Sequence, residues 1–362
     1  MLKKIAMLLP LGILMAAVVW VLAAGSGEDP LVSLSYLAGA FTETVDKQVE
    51  ERMDASDAAL LESAENGESI TTFASSWAET RLKYGDALLG ATGTNVLILA
   101  GSGQVTYSSG AVVDVTTGEA VASGAALAVN HRYMVAEDTT AAFIVTSKTA
   151  VVDYQGEYAF SYSNATDYNA MAAALKTLHL FKGSFTGYGE GYDLEMAPTR
   201  LQALIMFIRV LGEEEEALAW TGTQPFKDIH EGTQAFQYVG YAYEKGYTNG
   251  YTTTEFRPAG AVNAYQYTEF VLRAMGYSSA ANTNLADTLT RAWEAGVLTE
   301  GEVAYLQTEA FLRAELVYIS YYALGSKLPE SSQTLSGLLQ DKGVFTAKEW
   351  RSAQKLVTSS RV

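Results

Sequence analysis

The 362-residue chain contains no cysteine, only six prolines and only three histidines. The absence of cysteine excludes disulfides, thiolate metal sites and cysteine nucleophiles. His131, His179 and His230 have no second metal-type ligand three or four residues away, and the chain has no nucleophile elbow, P-loop or dinucleotide fingerprint. These absences predict a protein with no enzymatic activity, no metal and no cofactor. A hydrolase with two carboxylates in the β-rich segment stays open, since a glycosidase needs only such a pair.

Basic residues are also scarce. Lys and Arg together number 24 against 41 Asp and Glu, which gives a formal charge of −17. A field of that sign repels nucleic acid and anionic membrane surfaces, so neither is an expected partner. Apolar residues make up 49% of the chain, which is enough to build packed cores in two or three domains.

Ile5–Ala24 contains no charged residue. Two lysines precede this run, and it ends in small residues. This arrangement is typical of an export signal. The run is also long enough to span a bilayer. We therefore expect residues 1–24 to be a signal peptide or an uncleaved membrane anchor, with membrane contact only through residues 5–24. In either case the rest of the chain lies outside the membrane.

Residues 25–85 carry an amphipathic helical pattern in which apolar side chains recur every fourth residue, from Leu37 to Met53. The pattern predicts a helix packed on the neighbouring domain, while a free coiled coil would need more heptads.

The residue composition and the spacing of apolar residues change at residues 86–160. Seven short, β-branched runs are separated by Gly, Ser and Asn, which predicts a small antiparallel all-β sandwich or barrel. The runs are Asn95–Ala100, Gln104–Tyr107, Ala111–Val115, Ala126–Val129, Arg132–Ala136, Ala141–Thr146 and Ala150–Tyr154.

Residues 165–328 return to helical spacing and contain an internal repeat. The stretches Ala197–Gly212, Ala261–Gly276 and Phe311–Gly325 superpose on their closing glycines, and each has one apolar i, i+4, i+7 face. The closing glycine suits a left-handed cap. A shorter glycine turn precedes each stretch, at Gly183, Gly246 and Gly296. Such a unit cannot bury its own apolar face, so three must pack together. Residues 329–362 form a C-terminal helical tail.

Several segments resemble the S-layer homology repeat. They are Phe226-Lys227-Asp228-Ile229, the turn 246–250, Phe256-Arg257-Pro258 and the helix starts Thr199-Arg200 and Leu312-Arg313-Ala314-Glu315. The resemblance covers about residues 168–328 and is best in the second copy. It implies a three-repeat spindle around a three-helix bundle, with grooves that bind secondary cell-wall polymers, often pyruvylated glycans. The expected fold class is α+β and multidomain: an N-terminal helix, an all-β domain, an all-α spindle and a helical tail.

The resemblance also implies where a glycan would bind. The family places an Arg at the start of the second helix of each repeat, with Glu or Gln two residues later. Those two columns hold Arg200, Ala264 and Arg313, then Gln202, Gln266 and Glu315. A guanidinium offers forked donors to a carboxylate or phosphate, and a helix N-terminus would add backbone N–H donors. The alternative is that Arg200 and Arg313 form caps or ion pairs with Glu195 and Glu309.

Three loop residues are further candidates. Asp228 is expected as a helix cap or a loop tie, with a ligand contact as the alternative. Tyr247 and Tyr251 lie in the loop of the second copy, where their rings are placed to stack on a sugar. Tyrosines at helical spacing are expected in the core.

The sequence thus predicts an exported, extracellular protein that binds secondary cell-wall polysaccharide non-covalently and is anchored to the cell wall. Other surface-layer proteins are a further expected partner class. The alternative is a membrane-tethered structural or protein-interaction scaffold whose repeats no longer bind glycan, which Ala264 favours. The candidate glycan-binding residues are Arg200, Arg313, Gln202, Glu315, Asp228, Tyr247 and Tyr251.

Overall fold

The computed structural model describes Lys47 and residues 72–183, 191–277 and 284–361. The expected signal or anchor at residues 1–24 and the apolar stripe of the amphipathic segment lie outside these ranges. Residues 71–362 form one compact unit. Within the described ranges, every helix is too short or too polar to cross a membrane.

Nine strands form one antiparallel sheet. They are β1 (Thr72–Lys83), β2 (Ala87–Ala91), β3 (Asn95–Ala100), β4 (Gly103–Thr106), β5 (Ala111–Asp114), β6 (Glu119–Val121), β7 (Arg132–Ala136), β8 (Thr140–Val145) and β9 (Thr149–Ser161). The order is β4-β8-β2-β9-β3-β7-β5-β6, and β1 also pairs with β9. Six of the seven predicted strands are confirmed. The seventh, Ala126–Val129, contributes only an isolated bridge between Ala126 and Gln104.

The sheet begins earlier than the sequence indicated, because residues 72–83, assigned to the helical segment, form β1. This strand has no alternation of buried and exposed positions. Phe73 is exposed, whereas Lys83 is buried because its ammonium group pairs with Asp86 at 2.8 Å. Pairing with β9 along the strand therefore fixes β1, not an apolar face of its own.

Strand β9 curls the sheet into a half-barrel. Lys83 pairs with Thr149 and Ala87 pairs with Ser161. In a straight strand Thr149 and Ser161 would lie about 40 Å apart, whereas Lys83 and Ala87 are at most about 14 Å apart. Gly156, with φ 112°, lies where the pairing with β1 shifts register. The core of the half-barrel consists of Leu82, Leu88, Val96, Ile98, Val105, Val112, Leu127, Tyr133, Val135, Ala141, Phe143, Val145, Ala150, Val152 and Tyr154.

Helices follow the sheet. They are α1 (Tyr168–Thr177), α2 (Arg200–Val210), α3 (Glu214–Ala219), α4 (Gln234–Glu244), α5 (Ala264–Ala274), α6 (Thr288–Glu294), α7 (Glu300–Thr308), α8 (Arg313–Ala323), α9 (Leu335–Asp341) and α10 (Ala347–Leu356). The three superposed stretches of the sequence are α2, α5 and α8, and each of these helices contacts the other two. Their buried faces share one core cluster.

Helices α1, α4 and α6, which come before α2, α5 and α8 in the three copies, all end in the same kind of turn. Each closes on a left-handed residue, namely His179 (φ 62°), Gly246 (φ 74°) and Gly296 (φ 71°). The next two N–H groups then donate to one carbonyl, that of Leu175, Ala242 or Ala292. The prediction that Gly183 is the turn glycine of the first copy is therefore wrong, because His179 occupies the equivalent position.

The ends of α2 and α5 confirm the predicted glycine caps, since Gly212 and Gly276 have φ 67° and 88°. The third glycine, Gly325, has no positive φ, so its predicted cap role is wrong. The carbonyl of Leu324 instead accepts from the N–H of Ser336 at 2.8 Å, so the first turn of α9 supplies the partner for the end of α8.

The curvature of β9 gives a testable consequence. A Cβ added at Gly156 would lie 2.8 Å from the Cα of Thr94, whereas one added at Gly118 (φ 79°) would meet no atom within 4 Å. Gly118→Ala should cost about 1–2 kcal/mol from backbone strain alone. Gly156→Ala should cost at least about 2 kcal/mol more, because backbone must move. Urea denaturation measures both, and equal losses would contradict the packed bend.

Candidate functional site

The first two N–H groups of α2 donate to the loop that leads into α5, and those of α8 donate to the loop that leads into α2. Arg200 and Leu201 donate to the carbonyls of Gly260 and Pro258 at 2.7 and 3.1 Å. In the same register, Arg313 and Ala314 donate to Met196 and Leu194 at 2.9 and 3.1 Å. In both cases the accepting residues lie four and six positions before the first residue of a central helix, which is α5 for the bonds of α2 and α2 for the bonds of α8. The expectation that these helix starts offer free N–H donors to a ligand is therefore wrong.

A cleft opens beside the start of α2, and we call it the Arg200 cleft. It has a volume of about 290 Å³. The start of α2, the loop after α4 and one side of α5 form its walls. The lining residues are Arg200, Thr248, Asn249, Gly250, Tyr251, Gln266, Glu269, Phe270, Arg273 and Leu285.

Arg200 is 7% exposed and only partly satisfied. One terminal nitrogen donates to the carbonyl of Gly250 at 3.2 Å, and the guanidinium lies 5.0 and 5.6 Å from the ring centres of Phe256 and Phe270. Its Nε is buried and has no hydrogen-bond partner among the described residues. Burial lowers the pKa of Arg200, and the nearby charge of Arg273 lowers it further. The cleft thus brings two cations together.

Sequence reasoning missed the carboxylate that organises this cleft. Glu269 is buried, and its two oxygens bind Arg273 at 2.8 Å and Arg291 at 2.5 Å. The hydroxyl of Thr288 donates to the same carboxylate at 3.2 Å. The i, i+4 spacing of Glu269 and Arg273 was a usable signal. The contact of Glu269 with Arg291, which lies on α6, gave no signal in the sequence.

The equivalent cleft beside Arg313, the Arg313 cleft, is smaller, and more of its lining residues are aliphatic or aromatic. Its volume is about 130 Å³, and its lining residues are Phe181, Gly183, Gln202, Ile205, Met206, Arg209, Arg313, Leu316 and Val317. Arg313 is 9% exposed, and its Nε donates to the carbonyl of Tyr192 at 3.1 Å. Burial lowers the pKa of Arg313 and the charge of Arg209 lowers it further, while the charges of Asp193 and Glu195 act in the opposite direction. This cleft also brings two cations together, but acidic neighbours offset part of their repulsion.

The predicted ion pairs of Arg200 and Arg313 with Glu195 and Glu309 are wrong. Glu195 binds Arg81 at 2.7 Å, and Glu309 binds Lys148 at 3.1 Å. Both partners come from the half-barrel, whose side chains compete successfully for these carboxylates.

Gln202 and Glu315 serve as caps of their own helices. The side-chain oxygen of Gln202 accepts from the N–H of Thr199 at 3.0 Å, and Glu315 accepts from Leu312 at 2.7 Å. Glu315 is also 1% exposed. Gln202 still lines the Arg313 cleft, so a ligand contact there stays a prediction.

Asp228 is a loop tie, as expected. Its two oxygens accept from the N–H groups of Phe256 and Arg257 at 2.9 and 2.7 Å. Arg257 has a left-handed backbone with φ 60°, which these bonds hold in place. Asp228 therefore fixes the loop that leads from Tyr251 to α5.

The two loop tyrosines differ. Tyr247 donates to Glu213 at 2.9 Å and packs edge-on against Phe207, so its hydroxyl is already used within the fold. Tyr251 is 54% exposed at the lip of the Arg200 cleft, and the guanidinium of Arg257 lies 3.8 Å from its ring centre. Of the two, only Tyr251 presents an aromatic surface to the cleft.

The role of Asp228 predicts a pH effect. Burial raises the pKa of its carboxyl, but the N–H donors of Phe256 and Arg257 outweigh burial and hold the pKa below its usual range. The carboxylate thus contributes stability above the unfolded pKa of about 3.9, and this is lost as the pH falls through the lower folded value. Asp228→Asn should cost about 1 kcal/mol at pH 7, and the difference should shrink below about pH 4.

Urea denaturation between pH 7 and pH 3 measures this difference. Exposed Glu231→Gln removes a charge of the same kind and serves as the control. Identical curves for the two variants would contradict the loop tie.

Comparison with known proteins adds one positive finding. The family model described as the S-layer homology domain matches residues 225–263. No curated protein matches the chain. Among solved structures, the wild-type Clp1p–Pcf11p (454–563) complex is 11% identical over 42% of this chain, with a TM-score of 0.15, which carries no argument. This chain covers 32% of that chain. Residues 225–263 include Asp228 and Tyr251, which lies at the lip of the Arg200 cleft. On this match, the protein is an S-layer homology domain-containing protein.

Proposed function

We propose that this protein is an exported, non-enzymatic anchor that binds an anionic secondary cell-wall polymer through the Arg200 cleft. S-layer homology domains are in general cell-wall anchoring modules that bind secondary polymers. The matched residues supply the loop wall of this cleft. The half-barrel is then the part that the anchor displays at the cell surface.

The convergence of Arg200 and Arg273 carries this proposal. The two guanidiniums line one cleft in a chain with a formal charge of −17. Glu269 pairs with Arg273, so Arg200 is the cation of this cleft that has no carboxylate partner among the described residues, and a bound anion lowers the free energy cost of its burial. Arg200 also keeps an unpartnered Nε, and a carboxylate or phosphate is the group that matches a guanidinium fork.

The lip and the size of the cleft favour a sugar that carries the anion. Tyr251 offers an exposed ring at the edge, and a sugar ring packs on such a surface while its hydroxyls reach polar groups such as Asn249 and Gln266. The volume of about 290 Å³ is at the small end for ligand sites, which start near ~300 Å³. One charged sugar unit of a longer polymer therefore fits the cleft better than several units do.

We assign three helix pairs, α1 with α2, α4 with α5 and α6 with α8, to three degenerate repeats, of which the first two line cationic clefts. In the Arg313 cleft, both arginines have acidic neighbours, and most of the other lining residues are apolar. We therefore expect the Arg200 cleft to dominate polymer binding. The second candidate function, a scaffold that binds no glycan, is favoured by Ala264, which is buried and places no cation at the start of α5.

The proposal predicts unequal effects of the two arginines on wall binding. Arg200→Ala should weaken binding to purified sacculi roughly ten-fold or more, because it removes a charge-assisted contact worth about 1.5–3 kcal/mol. Arg200→Lys should recover only part of the affinity, since it offers a point charge without a planar fork. Arg313→Ala is the matched control and should weaken binding far less.

Sacculi stripped of the non-peptidoglycan polymer provide the second control and should bind neither the wild type nor the variants. Thermal unfolding of each variant shows whether the fold is intact. Full binding by a folded Arg200→Ala variant would overturn the proposal and support the scaffold.

A further inference from the structure

The third helix pair places different chemistry at the positions that line the two cationic clefts. Counting from the first residue of α2 and α5, the positions two and nine residues later hold Gln202 and Arg209, and Gln266 and Arg273. In α8 the same positions hold Glu315 and Tyr322. Both of these residues contact cations that come from outside the three helix pairs.

The first outside cation is Lys148, from the turn between β8 and β9. Its Nζ lies 2.8 Å from Glu315 and 3.1 Å from Glu309. The hydroxyl of Tyr305 donates to the same Glu315 oxygen at 2.9 Å. The half-barrel therefore supplies the charge that balances the buried carboxylate of α8.

The second outside cation is Arg361, which follows α10. Its Nε and one terminal nitrogen each donate to a different oxygen of Glu302 at 2.6 Å. The same terminal nitrogen donates to the carbonyl of Val297 at 3.1 Å, and the guanidinium lies 4.4 Å from the ring centre of Tyr322. Glu302 is fully buried. Val297 follows the left-handed turn of α6, as Tyr247 follows that of α4.

These contacts combine the three features that select a guanidinium: a carboxylate fork, a carbonyl acceptor and an aromatic face. We propose that Glu302, Val297 and Tyr322 form a guanidinium-binding site beside the third helix pair, and that Arg361 of this chain occupies it. The third helix pair thus holds a cation at the positions where, in the proposed function, the Arg200 cleft binds an anion.

Occupancy follows from the cost of leaving the site empty. A fully buried carboxylate that loses its cation is strongly destabilising, because Tyr318 then remains as a neutral hydrogen-bond donor beside an unbalanced charge. The site thus holds the segment after α10 against α7. Ser359 adds a second contact, since its hydroxyl accepts from the N–H of Asp167 at 3.0 Å.

Chemical rescue tests the site in the full chain. Arg361→Ala should lower the unfolding temperature by about 5 °C or more, whereas Arg351→Ala, at an exposed position of α10, should change it by about 1 °C or less. Ethylguanidinium at millimolar concentration should restore part of the loss. Ethylammonium at the same concentration should not, because it is a point charge without the planar N–H fork that matches the carboxylate and the carbonyl of Val297.

Two further variants extend the test, and Arg361→Lys keeps it decisive if Arg361→Ala fails to fold. Arg361→Lys should unfold at a lower temperature than the wild type. Where Arg361→Ala folds, adding Glu302→Gln to it should lower the unfolding temperature little further, since the two residues act as one unit. Binding to sacculi by folded Arg361→Ala should equal that of the wild type, which separates this inference from the proposed function. An Arg361→Ala variant as stable as Arg351→Ala, or equal rescue by both cations, would overturn the proposal.

Discussion

An α-helix leaves its first amides without partners inside the helix, and two of the central helices place theirs on the chain that leads into a neighbour. Arg200 donates to Gly260 and Arg313 donates to Met196, in the same register. These bonds fix where one helix starts relative to the next, and they place the side chain at each start against the adjacent helix. The positions of both arginine clefts depend on this constraint.

A shared backbone register has allowed the three helix pairs to diverge in charge. The Arg200 cleft retains two cations beside an exposed aromatic lip, and Glu269 holds one of them in place. In the Arg313 cleft, both Arg313 and Arg209 have acidic neighbours, and most of the other lining residues are apolar. At the third position buried carboxylates bind Lys148 and Arg361. The chain thereby uses one helix pair to hold its half-barrel and C-terminal segment while another remains open.

Sequence periodicity located the elements with an apolar face of their own, which is why α2, α5, α8 and six strands were predictable. Strand β1 was not, because its buried and exposed positions do not alternate, and half-buried Arg81 has the character of a surface residue until the fold brings Glu195 beside it. His179 was missed for a related reason, since glycine is the usual residue in a left-handed turn. The pairing of Arg361 with Glu302 has no local signal at all. Tertiary contacts, which no spacing encodes, decide which charged residues are free for a ligand.

Among the described residues, the Arg200 cleft is where we propose that a guanidinium without a carboxylate partner binds an anionic polymer. Isothermal titration of the full chain with a soluble fragment of purified secondary cell-wall polymer, one charged sugar unit long, decides whether it does. We expect one dominant site per chain, whose heat disappears in Arg200→Ala and is retained in Arg313→Ala. Two or three equivalent sites, or one site that survives Arg200→Ala, would show that the Arg200 cleft is not the main binding site.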